Sequence, residues 1–285
     1  AACSKKHDDE DDQLTALSLL RLASPEVAEK AMRSLLSPNQ IPDFQDKAIQ
    51  AMTGSESPQT THWLVAQLQQ ATPRLTAIIT RTLLAREAST LALLQSDHVH
   101  VSLFSPAQRD RLSKHNHSGI RDAALALFAA PKPTITGKRY AHFQEALVNK
   151  HNPKEGAKLF ATHCAICHIL DGKGKKVGPE LDGEAGRPAE SLLADVLHPS
   201  AEITAGYATY MVETRSKATY VGVLAEESAT SVTISQAGGT DQIVLRADLL
   251  SITKLDASLM PAVAETMEPQ QLASIIHYLK QTSQP

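Results

Sequence analysis

Cysteine is scarce: the 285 residues hold only three, and Cys164 and Cys167 share one short string, which excludes a disulfide framework. Cys3 is left without an intrachain partner. Charge of one sign is also missing, since 28 basic and 31 acidic residues give a formal net charge of -3. That balance supplies no nucleic-acid footprint and no pull toward a polyanionic partner. No apolar run reaches the roughly 20 residues of a membrane-spanning helix, and the first residues contain no signal-type apolar stretch. There is no nucleotide-binding glycine motif, no nucleophile triad and no second C-x-x-C-H, so an enzymatic site of those kinds has no support.

Cys3 follows Ala1 and Ala2 and precedes a charged run from Lys5 to Asp12. Small residues, a cysteine and then a polar stretch resemble the end of a bacterial lipoprotein signal. On that reading Cys3 carries a lipid anchor and residues 1–13 form a flexible tether. The competing reading is an incidental free cysteine.

Residues 14–130 form a series of short amphipathic patterns with no strand alternation. Ser24-Pro25, Ser37-Pro38, Ser57-Pro58, Thr72-Pro73 and Ser105-Pro106 each suit an N-cap followed by proline in the first helical turn. Leu75, Ile78, Ile79, Leu83 and Leu84 share one face, and Leu64, Leu68 and Ala71 another. None of these faces can be buried by its own helix, so the stretch resembles HEAT-type repeats in pattern and period, an α-solenoid. An irregular helical bundle satisfies the same pattern. His62, His98, His100, His115 and His117 have no cysteine or carboxylate cluster nearby and are read as surface residues. Pro131, Pro133 and Gly137 end the block, and residues 131–151 read as a linker and a connecting helix from Tyr140 to Asn149.

Residues 152–168, NPKEGAKLFATHCAICH, read as an N-capped helix running into C-x-x-C-H. In this motif two thiols add across the two vinyl groups of haem and the next residue sets an imidazole beneath the iron, which is the signature of c-type haem attachment at Cys164, Cys167 and His168. A zinc site would need more ligands, and a thioredoxin-like pair a surrounding βαβ pattern. His163 is read as a surface residue.

With Gly178-Pro179-Glu180-Leu181 following the motif, the chain resembles class I cytochromes c. The resemblance implies that the Pro179 carbonyl orients His168, that Leu181 covers a haem face, and that the last helix, Pro269 to Gln281, crosses the first at Gly156 and Phe160. It also implies a distal ligand on a loop before that helix. Met260, in Ser258-Leu259-Met260-Pro261, is the first choice for it and Met267 the reserve; Met211 falls in a strand-like run. Arg187 is a candidate partner for a haem propionate.

The stretch between His168 and Met260 is longer than a small cytochrome needs. Residues 207–255 alternate as strands around a Gly238-Gly239 turn and predict a small antiparallel unit, a barrel or curled sheet. GAKLFATHCAICH, VGPELDG, SLLADVLHPSAEI, YATYMVETR, YVGVLAEE and SLMP together resemble a haem-binding domain family abundant in planctomycetes and verrucomicrobia. His198 departs from that family, where an acid is more usual before Pro-Ser. The dehydrogenase-like propeller that often accompanies those domains has no counterpart here.

The expected fold class is therefore mainly α: a HEAT-like solenoid followed, at 152–285, by a class I cytochrome c-like domain with a β insertion. The expected function is a monohaem c-type cytochrome with one covalent haem c and His168/Met260 ligation. It would pass electrons to a redox partner, a dehydrogenase or membrane respiratory complex, outside the cytoplasm. A dehydrogenase haem subunit, a haem-based sensor and a peroxidase are the alternatives.

Overall fold

The computed structural model describes residues 22–52, 57–97, 99–129, 138–149, 152–262 and 266–282. Cys3, the tether, His98 and most of the proline-rich linker lie outside the described residues. Among the described residues no helix is long and apolar enough to cross a membrane.

Among the described residues seven α-helices precede the linker: α1 (Pro25–Leu35), α2 (Pro42–Ala51), α3 (Pro58–Gln67), α4 (Pro73–Leu83), α5 (Glu87–Leu94), α6 (Pro106–Ser113) and α7 (Ser118–Ala129). Their starts follow local chemistry. The Ser57 and Thr72 hydroxyls accept from Thr60 and Leu75 N–H, and Ser105 and Gln108 form a reciprocal capping box. Ser37-Pro38 starts no helix. The chain turns there, and α2 begins instead at Pro42 behind Ile41. Pro38 has another task, because its carbonyl accepts a hydrogen bond from Arg246.

Helix α1 packs on α2 and α3, α2 on α4, α3 on α4 and α5, and α5 on α7. Packing on the second neighbour buries Met32, Ile49, Ile79, Leu83, Leu93 and Ile120 in one continuous cluster.

The remaining helices, α8 (Lys138–Leu147), α9 (Pro153–His163), α10 (Ala189–Leu197) and α11 (Pro269–Thr282), surround a second cluster that includes Phe143, Phe160, Leu170, Leu193, Leu272 and Ile276. Helix α11 is the hub, touching α8, α9 and α10. It lies so close to α9 that a Cβ on Gly156 would overlap the Ser274 carbonyl oxygen, while the Phe160 and Tyr278 rings sit 5.8 Å apart.

Among the described residues two sheets complete the fold. A short hairpin that the sequence did not announce pairs β1 (Ile169–Leu170) with β2 (Lys173–Gly174). Asp171 and Gly172 make its turn with positive φ of 52° and 68°. The larger sheet has five antiparallel strands, β3 (Thr209–Thr214), β4 (Thr219–Glu227), β5 (Ser231–Gln236), β6 (Thr240–Leu245) and β7 (Leu249–Lys254), in the order β6-β5-β4-β3-β7. It is open, with β6 and β7 at its edges, so of the two expected shapes it is not a closed barrel. Gly238 and Gly239 supply the positive φ of the β5–β6 turn.

The sheet joins the helical block through polar groups. Tyr210 Oη donates to Ala71 O at 2.9 Å, and Arg246 to Pro38 O at 2.6 Å. Arg246, 4% exposed, also meets Glu227, 7% exposed, at 3.3 Å. Glu227 lies 3.8 Å from Arg74, whose guanidinium engages Asp46 and Gln45 on α2.

Candidate haem site

Asn152 starts α9 by accepting from Lys154 and Glu155 N–H at 3.1 and 3.4 Å, with Pro153 in the first turn. The far end of α9 delivers Cys164, whose N–H still donates to Phe160 O at 2.8 Å. The chain then coils tightly. Cys167 and His168 N–H both donate to Cys164 O, at 3.0 and 2.9 Å, which gathers the two thiols and the imidazole on one turn.

The returning segment is fastened to that turn by backbone bonds. Lys175 N–H reaches Ala165 O at 3.0 Å, Val177 and Gly178 N–H reach Cys167 O at 2.9 and 2.7 Å, and Leu181 N–H reaches Ile169 O at 2.9 Å. This places Pro179 O 2.8 Å from His168 Nδ1. A carbonyl only accepts, so Nδ1 carries the proton and Nε2 presents the lone pair. Gly178 is glycine for a steric reason: a Cβ there would stand 2.5 Å from His168 Cε1.

Burial lowers the His168 pKa, opposed by the hydrogen bond to Pro179, and a neutral imidazole is the form that ligates iron. Burial, and then the neighbouring Cys167, push the Cys164 thiol up to about 12. Both cysteines are free and half-buried. A raised pKa is the reverse of what a reactive dithiol or a zinc thiolate needs. Among the described residues no three His, Cys, Asp or Glu side chains gather around a metal-sized space. The donor set fits haem c: two thiols for thioether links and one oriented imidazole.

The structure therefore brings Cys164, Cys167, His168, Pro179 and Leu181 together, the last packed against the cluster that contains Phe160 and Leu170. Met260 stands on a separate segment between β7 and α11, half-buried, with its N–H donating to Ser258 Oγ at 3.1 Å. Met267 is 7% exposed inside the apolar core of α8–α11, so packing accounts for it. Met211 is a half-buried residue of β3.

Arg187 has other partners than the one expected of it. Its guanidinium meets Glu184 at 2.7 Å, Ser191 at 3.0 Å and Asp195 at 2.5 Å, and a propionate would share it with those two carboxylates. His163 and His198 are exposed, as are His62, His100 and His117, and His115 is half-buried.

A cytochrome c family model matches residues 153–232. Cytochrome c of Ginkgo biloba is 30% identical over 133 residues, covering 46% of this chain and 89% of that protein. The chain belongs to the cytochrome c family. Membership implies a haem c cofactor. Higher identity is found over a narrower stretch: cytochromes c of Cochliobolus lunatus and Arabidopsis thaliana are each 55% identical over 40 residues, 14% of this chain. The chain spans 37% and 36% of the length of those two relatives.

Ser258, in the string around Met260, and Ser200 are joined by a hydrogen bond that the sequence did not reveal. Ser258 stood two positions before a methionine, where a serine hydroxyl commonly accepts from the backbone. Nothing local could pair it with Ser200.

Proposed function

We propose that this chain is a monohaem c-type cytochrome that carries single electrons between protein partners, with His168 and Met260 as axial ligands. The bond between His168 Nδ1 and Pro179 O carries the reading, because it fixes the tautomer that directs Nε2 to a metal and raises the basicity of that nitrogen. Cys164 and Cys167 would each add S–H across a vinyl group, sulfur bonding to one carbon and hydrogen passing to the other. Bound haem supplies a one-electron iron couple. A thioether at Met260 favours the ferrous state and raises the potential, while Met267 stays in the core.

The haem domain is read as the planctomycete and verrucomicrobial type, because a sheet is inserted between the two proposed ligands. The helical block is read as a HEAT-like stack on its second-neighbour packing, and as the surface that docks a dehydrogenase or a membrane respiratory complex. The protein works outside the cytoplasm.

Spectra test the assignment. Intact mass and the pyridine haemochrome should give one covalent haem per chain, and the ferric protein should display the methionine-to-iron charge-transfer band. Met260→Ala should abolish that band and lower the potential; Met267→Leu should keep it. Rapid carbon monoxide binding by ferrous wild type at neutral pH would count against the carrier reading and for a sensor or peroxidase.

A further inference from the structure

The inserted sheet leaves and rejoins the haem core through two connectors, residues 198–208 after α10 and 255–262 before α11. They are fastened to each other. Ser258 N–H donates to Ser200 Oγ at 3.0 Å, across 58 residues of sequence, and Ser258 Oγ in turn accepts from Met260 N–H at 3.1 Å. A single chain of contacts thus runs from the end of α10 to the backbone of Met260. The flanking chain is stiff, with Pro199 before Ser200 and Pro261 after Met260. The entry into this segment is also anchored, since Leu255 N–H donates to Thr209 O at 2.8 Å and so continues the β3–β7 ladder.

We propose that Ser200 is a positioning residue for the distal ligand, acting through Ser258 to hold the Met260 loop in its ligating conformation. The proposal rests on the reading of Met260 as that ligand. Ser200 touches neither Met260 nor any haem-attaching residue in the contacts described, so its influence must pass through the loop. It also makes ligation depend on the sheet. Any displacement of the connectors that separates Ser200 from Ser258 loosens the residue on which the Met260 N–H bond rests, which couples haem ligation to the position of the insertion.

With haem bound, the loop would have a closed state in which Met260 ligates and an open one in which an exogenous ligand takes its place. Apparent affinity for that ligand scales with the open fraction. A typical net hydrogen bond is equivalent to roughly a five-fold change in such an equilibrium.

The test uses the holoprotein and imidazole as the probe. Ser200→Ala should raise the apparent affinity of the ferric protein for imidazole roughly five-fold. It should weaken the methionine-to-iron band and speed amide exchange at Ser258, while far-UV dichroism stays unchanged. Ser258→Ala should do the same to the band and to imidazole affinity, with faster exchange at Met260. Ser200→Thr keeps an acceptor oxygen and should restore wild-type values. If wild type displays the band and Met260→Ala removes it, yet Ser200→Ala changes neither imidazole affinity nor exchange, the relay is overturned while the ligand assignment stands. A wild-type protein without the band overturns the ligand assignment, and the relay with it.

Discussion

The haem core and the joint between the sheet and the helical block are held together by opposite kinds of contact. The haem core closes on apolar side chains and backbone proximity: Phe160, Leu272, Ile275 and Ile276 fill it, and Gly156 lets α9 meet the Ser274 carbonyl. The joint between the sheet and the helical block closes on buried ions, with Arg246 and Glu227 almost fully out of water and Arg74 beside them. Apolar contacts are non-directional, and a packed core tolerates small changes as long as its volume is conserved. A buried ion pair is different. Its formation is close to neutral, but removal of one partner strands the other. The joint is therefore the more specific of the two and the easier to break with one substitution.

The largest expected effect tests the ionic side. Glu227→Ala leaves Arg246 buried against Pro38 O and Ser228 O with no carboxylate, and should destabilise the fold by about 3–5 kcal/mol. Denaturant unfolding of the holoprotein measures it, followed by haem absorbance and by tryptophan fluorescence, since Trp63 lies in the helical block. Loss of tryptophan structure ahead of any haem change would place the break at the joint. A cost below about 1 kcal/mol would mean the pair behaves as an exposed one, and the contrast between joint and core would fail.

A smaller effect belongs to the haem core. Gly156→Ala gains about 1 kcal/mol of helix propensity. It also drives a methyl into the Ser274 carbonyl, a backbone atom that moves only if α11 does. Overpacking of this kind costs about 1–3 kcal/mol. The net should be destabilising and should appear first in the haem signal, the reverse order to Glu227→Ala. A stabilised Gly156→Ala protein would show that the helix crossing is looser than drawn.

Core and joint differed equally in how far the sequence disclosed them. Cys164, Cys167, His168 and Pro179 could be found because the whole loop lies within a short stretch of chain and its bonds are local. The caps at Ser57, Thr72 and Ser105 were visible for the same reason. Ser37-Pro38 misled because the same dipeptide serves a turn as well as a cap, and only its distant partner Arg246 distinguishes them. The neighbours of Arg187 were hidden for a related reason: the two carboxylates that meet it, Glu184 and Asp195, stand close in sequence, but only folding aims them at one guanidinium. The joint could not be read at all. Tyr210 and Ala71 are 139 residues apart, and Arg246 and Pro38 are 208 apart, so no periodicity or motif links them.

The smallest effect, at Tyr210, sharpens the contrast because its size depends on pH. Tyr210→Phe removes the bond to Ala71 O, a carbonyl that keeps a longer contact from Thr76, so the loss at neutral pH should be only about 1 kcal/mol. Burial, and then the charge of Glu227, raise the Tyr210 pKa above its ordinary value of 10.0. The folded protein therefore holds this proton at a pH where the unfolded chain has released it. That contribution is fully present below about pH 10 and declines as pH rises through and beyond that value. Phenylalanine has no proton to lose. The wild-type advantage over Tyr210→Phe should shrink above pH 10, and chemical denaturation at pH 7 and pH 10.5 would reveal it. An advantage that holds constant between the two would mean that Tyr210 is solvated in the fold, and that the joint is wetter than its buried arginine implies.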